Sequence, residues 1–149
     1  METEKKMGAQ IYKSEEITDL LKQETAGFLA EHLDQYGDKK EAILKCLEYA
    51  KGKNSPGGGV ILACDNEKIV GAVILNKTGM AGYIPENILV YIAVHRDYRG
   101  KGVGKLLMDA VLEDTEGDIA LHVEADNPAR KLYEKYGFTN KYLEYRLTR

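Results

Sequence analysis

Residues 88–105 decide the fold, and they read ILVYIAVHRDYRGKGVGK. The first seven, residues 88–94, are apolar without alternation, which predicts a central β-strand covered on both faces. Three glycines at alternate positions follow among basic residues, and apolar side chains at helical spacing predict a helix over about 102–114. A buried strand that passes through a glycine-rich turn into a helix is typical of α/β domains.

The glycine-rich turn is a candidate anion site. Gly100, Gly102 and Gly104 carry no Cβ, so their N–H groups can approach a ligand closely. The beginning of a helix adds unsatisfied N–H donors and the positive end of the helix dipole, which together favour phosphate. Full positive charges nearby are carried by Arg99, Lys101 and Lys105. We therefore predict a phosphate-bearing ligand at this turn.

Two other phosphate motifs fail on residue spacing. The dinucleotide fingerprint Gly-x-Gly-x-x-Gly needs its last glycine one residue beyond Gly104, although an acidic residue, Glu124, does follow the next predicted strand. The nucleotide P-loop needs Ser or Thr after Gly-Lys, and here Leu106 takes that place. A turn without any ligand is disfavoured, because glycine at a helix start costs up to about 1 kcal/mol relative to alanine.

Hydrophobic periodicity on either side of this unit predicts the remaining elements. Strands are predicted at 9–13, 60–64, 69–75, 119–124 and 142–147, the last one at a sheet edge. Helices are predicted from Ser14, from Asp38 with Glu41 completing a capping box, and from Asp126 with Pro128 at the first helical position. The order β-α-α-β-β-β-α-β-α-β describes a three-layer α/β (α+β) domain.

Composition restricts the class of protein. The chain has 149 residues, which suits a single domain over 1–149. Its net charge of −3 disfavours nucleic-acid binding, which usually needs a basic face. No apolar run is long enough for a membrane span and the N-terminus has no apolar signal core, so a cytoplasmic protein is expected. Because no metal-ligand spacing such as His-Glu-x-x-His occurs, no metal is expected.

Two motifs resemble those of the GNAT superfamily of N-acetyltransferases. Residues 99–104, RGKGVG, match its Arg/Gln-x-x-Gly-x-Gly/Ala motif, and Val94 stands where the family has a strand-end valine. Residues 126–138, DNPARKLYEKYGF, are similar to its Asn-x-x-Ala-x-x-Leu-Tyr-x-x-x-Gly-Phe segment. The resemblance covers about residues 60–147. It implies a mixed, mostly antiparallel central sheet flanked by helices, with acetyl-CoA as co-substrate.

The resemblance also implies a division of the chain and a set of roles. CoA is expected to bind within about 88–138, and the acceptor within about 14–57. The central strand is expected to splay from the next strand, so that the pantetheine arm inserts there and the thioester carbonyl meets a strand N–H. The cofactor-binding residues implied are Ile92, Ala93, Val94, Arg99, Gly100, Lys101, Gly102, Val103, Gly104, Lys105, Asn127, Ala129 and Tyr133.

Tyr133 is the residue that the resemblance assigns to the departing thiolate. A phenol has a pKa of about 10 and a thiol about 8.5, so the hydroxyl can donate to a thiolate at neutral pH. From the residues alone, a core tyrosine on an apolar helix face is the favoured interpretation of Tyr133. The family's Asn aligns with Asp126, and Asn127 is the better hydrogen-bond donor of the two.

The general base has several candidates. His122 falls where a branch of the family that acetylates protein N-termini carries a catalytic glutamate, and an unperturbed histidine has a pKa of about 6.5. A lone strand histidine is also consistent with simple packing or exposure. Glu86 is the second candidate and Glu124 the third. Water is a fourth, because an α-amino group has a pKa of only about 7.7–8.0.

The resemblance therefore implies an N-acetyltransferase that moves acetyl from acetyl-CoA to a primary amine by direct attack in a ternary complex. The acceptor is expected to be a small-molecule amine or a peptide N-terminus, and the protein a monomer or homodimer. The alternative is a non-catalytic sensor module of the same fold that binds acyl-CoA.

Overall fold

The computed structural model describes residues 7–149, which form one sheet between two layers of helices. The strands are β1 (Met7–Lys13), β2 (Gly58–Asp65), β3 (Lys68–Lys77), β4 (Asn87–Val94) and β5 (Ile119–Ala120). The helices are α1 (Asp19–His32), α2 (Lys40–Lys51), α3 (Val103–Asp114) and α4 (Arg130–Lys135). Short 3-10 turns lie at Ser14–Glu16, Asp34–Tyr36 and Arg96–Tyr98.

The five strands follow one another across the sheet in sequence order. Neighbours from β1 to β4 are antiparallel, whereas β5 runs parallel to β4. The β2–β3 hairpin turns at Asn66, which has a φ of 57°, a left-handed conformation that asparagine tolerates. The predicted hairpin and the mixed, mostly antiparallel sheet flanked by helices are therefore confirmed.

Each face of the sheet buries its own apolar cluster. On one face, α1 and α2 pack against the strands through Leu29, Ile43, Leu47, Val60 and Ile74. On the other, α3 packs through Ile61, Val73, Leu89, Val103 and Leu107. The strand β4 contributes Ala93 to the first cluster and Leu89 to the second, as expected for a strand covered on both sides.

Both predicted caps in the acceptor region are wrong. Helix α1 begins at Asp19, and the Thr18 hydroxyl rather than that of Ser14 accepts its capping bond, from Leu21 N at 3.1 Å. The Ser14 hydroxyl instead donates to Ala50 O at 2.7 Å. Helix α2 begins at Lys40 and has no side-chain cap, because the Asp38 carboxylate accepts the Tyr91 hydroxyl instead.

The last helix begins two residues later than predicted. The Asn127 side-chain oxygen accepts the N–H of Ala129 at 2.9 Å, which makes a local turn through Pro128 before the helix starts at Arg130. The predicted strand at 119–124 is a strand only over Ile119–Ala120. Within residues 7–149, no helix has both the length and the apolar character needed to cross a membrane.

The predicted edge strand at 142–147 does not form. This tail has no strand partner among the described residues. Its large apolar side chains are 74–88% exposed, namely Tyr142, Leu143, Tyr145 and Leu147. Alternation determines which side chains share a face, but a strand also needs the backbone of a neighbour to bond with.

We predict that Gly71→Val destabilises the protein by about 1–3 kcal/mol, the usual cost of overpacking. A Cβ on this β3 glycine would lie 2.8 Å from Val103 Cγ1 and 2.9 Å from Leu107 Cδ1, so α3 would have to move away from the sheet. Urea unfolding measures the change. Gly8→Val on β1 is the control, because no atom lies within 4 Å of its Cβ position; a similar loss in both variants would contradict the prediction.

Candidate functional site

The sheet opens between β4 and β5. These strands pair only at Asn87 with Ile119 and at Ile88 with Ala120. From Leu89 onward, the edge of β4 that faces β5 has no strand partner in the described part of the chain. The backbone donors and acceptors on that edge, apart from the Val94 carbonyl, which accepts Arg99 Nε at 3.2 Å, are therefore available to a ligand.

The closed end of this opening is fixed by hydrogen bonds to the turn before β5. The Asn87 side-chain N–H groups donate to the carbonyls of Glu116 and Asp118, at 2.7 and 3.2 Å. The Glu86 carboxylate accepts the N–H of Asp118 at 2.7 Å, and this bond is the main reason that its pKa lies below the ordinary value. Glu86 thus has a structural partner at the closed end, and its role as a base stays a prediction.

A β-bulge lies in β4 beside the opening. Ile74 of β3 is opposite Tyr91, and Leu75 is opposite Leu89, so Val90 is an extra residue without a partner on β3. Bulges change the direction in which the following side chains point. Here Tyr91 packs on the α1/α2 face of the sheet.

The turn after β4 presents bare backbone at the beginning of α3. Gly100 and Gly102 have φ values of 78° and 87°, which favour glycine, and no atom lies within 4 Å of either Cβ position. The N–H of Leu106 bonds to Gly102 O at 3.0 Å. The N–H groups of residues 102–105 have no protein acceptor among the described residues, as is usual at a helix N-terminus. This geometry fits a phosphate group.

Gly104 has a different reason to lack a side chain. Its Cβ position lies 3.3 Å from Leu132 Cδ2, so the glycine lets α4 pack closely on α3. The Tyr136 hydroxyl fastens the same two helices by donating to Asp109 Oδ1 at 2.7 Å. This contact places α4, which carries Tyr133, beside the glycine-rich turn at residues 99–105, which we call the phosphate turn.

The basic side chains of the turn have protein partners. Arg99 donates to Asp34 Oδ2 at 3.1 Å, to His32 O at 2.8 Å and to Val94 O at 3.2 Å, so it points toward the end of α1. The Lys105 ammonium lies 3.0 Å from an Asp109 carboxylate oxygen. Lys101 is an exposed cation, with its Nζ 5.5 Å from the Tyr98 ring centroid.

Asp34 is a residue that the sequence analysis missed. Its φ of 56° is unusual for a residue with a side chain, and its carboxylate accepts both Arg99 and Arg96, the latter at 3.2 Å. The hydrogen bond from Arg99, followed by that from Arg96, lowers the pKa of the Asp34 carboxyl below its ordinary value. Asp34 therefore joins the end of α1 to the phosphate turn, and no motif indicates this long-range pairing.

Two stacked histidines complete that junction. The rings of His32 and His95 are 4.1 Å apart, and His32 is only 4% exposed. The pKa of His32 lies below its ordinary value, mainly because the ring is buried, and this favours the neutral imidazole. The Nδ1 atom of His32 accepts the N–H of Arg96 at 3.3 Å. His95 Nδ1 accepts the N–H of Asp97 at 3.1 Å, so this histidine helps to shape the turn.

Tyr133 is buried, with 7% exposure, and its ring meets that of Phe138 edge to face at 6.0 Å. Burial raises the pKa of Tyr133 to about 12, so the phenol keeps its proton. The hydroxyl makes no hydrogen bond within residues 7–149, and it is not one of the fully buried polar atoms that lack a partner, so it reaches the surface. A proton donor without a protein partner is free to serve a ligand.

The opening in the sheet has two sides, which we call its lips. One lip is β4, and the other, the β5 lip, is the segment that continues from β5. His122 and Glu124 are exposed there, beyond the last residue that pairs with β4. The Asp126 carbonyl accepts the Tyr36 hydroxyl at 3.2 Å, and the Asn127 oxygen is already bonded to Ala129 N. The structure thus brings Ile92–Val94 and His122 to the opened end, and leaves Glu86 at the closed end.

Residues 56–140 match the sequence model described as the acetyltransferase (GNAT) domain, which is more than half of the chain. The chain belongs to the GNAT acetyltransferase family. The predicted family is therefore confirmed, and the phosphate turn and α4 both lie inside the matched region.

Curated relatives share only part of their length with this GNAT chain. N-alpha-acetyltransferase 30 of Schizosaccharomyces pombe is 32% identical over 82 residues, which are 52% of this chain and 55% of the relative. The cysteine-rich protein 2-binding protein of Mus musculus is 35% identical over 60 residues, 39% of this chain and 8% of that protein. The chain thus spans about half the length of the first of these relatives and a small part of the second.

Solved structures share the fold over nearly the whole chain. An aminoglycoside N-acetyltransferase solved in complex with CoA superposes with a TM-score of 0.70 at 16% sequence identity. The match covers 99% of this chain and 98% of the aminoglycoside enzyme's chain. A ribosomal-protein-alanine N-acetyltransferase from Brucella melitensis has a TM-score of 0.62 at 20% sequence identity. That match covers 95% of this chain and 98% of the Brucella chain. At these identities the similarity shows the fold.

We predict that Asp34→Asn lowers stability near neutral pH and not in acid. A carboxyl whose folded pKa is lowered contributes stability above its unfolded pKa of about 3.9, and that contribution is lost as the pH falls through the folded value. The difference between the urea midpoints of wild type and variant should therefore shrink from pH 6 to pH 3. Asp19→Asn is the control, because its carboxylate makes one longer contact, 3.4 Å to Lys51 Nζ. A difference for Asp34→Asn that is constant over this pH range would contradict the prediction.

Proposed function

We propose that this protein transfers an acetyl group from acetyl-CoA to a primary amine by direct attack in a ternary complex. The observation that carries the proposal is the unpaired edge of β4, which runs directly into the bare N-terminus of α3. One long ligand with a pyrophosphate and an amide-rich arm fits both features. The pyrophosphate meets helix N–H groups, and the arm takes the place of a missing strand.

The donor half of the site rests on these backbone groups. The N–H groups of residues 102–105 bind the pyrophosphate, Gly100 leaves room for it, and Lys101 is the exposed cation beside it. Ile92 and Val94, with Ala93 between them, hold the pantetheine arm and the thioester. The backbone hydrogen bonds come from Ile92 and Val94, because the backbone groups of Ala93 alternate toward β3. We assign Asn127 and Ala129, which are bonded to each other in the turn before α4, to the same ligand.

The reaction forms a C–N bond and breaks a C–S bond. A backbone N–H of the segment Ile92–Val94 donates to the carbonyl oxygen, on which negative charge develops as the amine attacks. Tyr133 then donates its phenolic proton to the departing thiolate, since its pKa of about 12 keeps the phenol protonated at neutral pH. The proton lost by the amine leaves through the base, and solvent returns one to Tyr133.

We assign the base to His122 in the first instance. It is exposed on the β5 lip, where an acceptor amine would enter, whereas the Glu86 carboxylate is bonded to Asp118 N at the closed end. Glu124, two residues further along the same lip, and water remain the other routes for this proton.

The acceptor is a primary amine, either on a small molecule or at a peptide N-terminus. Support comes from the similar proteins, which include an N-alpha-acetyltransferase and an aminoglycoside N-acetyltransferase. Incubation with acetyl-CoA and a panel of three amines tests the proposal: a peptide with a free α-amino group, spermidine and kanamycin. Release of free thiol together with acetylated amine is expected. Tight acetyl-CoA binding without transfer to any amine would contradict an enzyme and favour an acyl-CoA sensor.

We predict that Tyr133→Phe lowers kcat by about a hundredfold or more, the usual range for loss of a general acid. The affinity for CoA, measured by calorimetry, should change little, because the ring and its packing against Phe138 are retained. Tyr136→Phe, at the C-cap of the helix that carries Tyr133, is the matched control, since it loses a hydroxyl that bonds to Asp109. Equal effects of the two substitutions on kcat would remove Tyr133 from the mechanism.

We also predict that His122→Ala abolishes an inflection near neutral pH in the profile of kcat/KM against pH. Histidine is the side chain whose unperturbed pKa, about 6.5, lies near neutrality, so loss of a histidine base removes an inflection from this range. The profile is measured with the best acceptor of the panel. An inflection that persists in the variant would assign the proton to Glu124, Glu86 or water.

A further inference from the structure

The segment between α1 and α2, residues 33–39, is bonded to three separate parts of the fold; we name it the α1–α2 strap. Asp34 accepts Arg96 and Arg99 of the turn that follows β4. The Tyr36 hydroxyl donates to the Asp126 carbonyl at 3.2 Å. The Asp38 carboxylate accepts the Tyr91 hydroxyl at 2.5 Å. Long side chains therefore fix a loop that has no regular structure beyond one 3-10 turn.

Two of these anchors lie on opposite lips of the opening in the sheet. Tyr91 belongs to β4, and Asp126 belongs to the segment that continues from β5. The two strands part after Ile88 and Ala120, so a chain bonded to both lips must cross the gap between them. The strap crosses on the α1/α2 face of the sheet, because Tyr91 packs into the cluster on that face.

The bulge in β4 makes the Tyr91 anchor possible. Leu89 and Ile92 both pack on the α3 face although they are three residues apart, which regular alternation does not allow. The extra residue, Val90, accounts for this and turns Tyr91 to the opposite face, toward Asp38. Burial and the bond to Asp38 raise the pKa of the Tyr91 phenol, so it remains a hydrogen-bond donor at all ordinary pH values.

We propose that Asp38 and Tyr91 are a positioning pair for the acceptor amine. Their bond ties the strap to the strand segment next to Ile92–Val94, whose N–H groups are assigned to the thioester carbonyl. The strap then limits the directions from which an amine reaches that carbonyl on the α1/α2 face. This inference rests on the proposed function, and it concerns the acceptor alone, because the donor lies along β4 and at the start of α3.

The test compares Tyr91→Phe with Tyr49→Phe in the thiol-release assay. The Tyr49 hydroxyl donates to Lys77 O at 2.6 Å and joins α2 to the end of β3, so this control loses one tyrosine hydrogen bond away from the opening. For Tyr91→Phe we expect the KM of the best acceptor among the peptide, spermidine and kanamycin to rise about three- to tenfold, as for one lost hydrogen bond. The KM of acetyl-CoA should stay within about twofold of wild type.

A second pair of variants separates the hydrogen bond from the charge. Asp38→Asn keeps an oxygen that accepts the Tyr91 hydroxyl and should retain most of the acceptor affinity, whereas Asp38→Ala should behave like Tyr91→Phe. Amide hydrogen exchange gives a readout that does not depend on activity. Residues 33–39 should exchange faster in Tyr91→Phe and Asp38→Ala than in wild type or Tyr49→Phe.

The outcomes distinguish this inference from the proposed function. If wild type transfers acetyl and Tyr91→Phe keeps the wild-type acceptor KM, the positioning role is overturned and the function stands. A rise in both KM values, or an equal effect of Tyr49→Phe, would indicate a general loss of folding and would also overturn it. A wild-type protein that acetylates no amine refutes the function itself, and the positioning role with it.

Discussion

The unpaired edge of β4 is the constraint on which the rest of the structure depends. A strand inside a sheet normally bonds on both sides, and polar backbone groups left without a partner are costly when buried. Here β5 bonds to β4 at two positions and then diverges, while Asn87 and Glu86 hold the two strands together at the closed end. The fold thereby keeps a row of backbone donors and acceptors available for a ligand that completes the sheet.

The neighbouring elements supply what that edge lacks. The turn after β4 brings helix N–H groups to the end of the edge, and its open glycines leave room for an anion. Close packing at Gly104 brings α4 alongside, with the unpartnered hydroxyl of Tyr133. The arginines of the turn bind Asp34 and so connect the cofactor side with the end of α1. Donor and acceptor regions are therefore mechanically joined through a few side chains.

Local sequence signals predicted most of the strands, helices and turns, but they did not predict pairings between residues far apart in the sequence. The apolar run of β4 and the glycine spacing of residues 99–104 indicated a strand, a turn and a helix, and these form. The capping box at Asp38 failed because a tyrosine 53 residues away competes for the same carboxylate. The bulge at Val90 has no signature in the sequence, since it arises from the register with β3. The alternating tail at 142–147 failed because alternation alone provides no backbone partner.

The proposed function requires one ligand to bond to the β4 edge and to the start of α3 together. Titration of the ¹⁵N-labelled protein with acetyl-CoA, followed through backbone amide shifts, tests it most directly. We expect large shifts in two groups, residues 92–94 and residues 100–105, which saturate together. Shifts confined to one group, or centred on other residues such as those near Glu86, would contradict it.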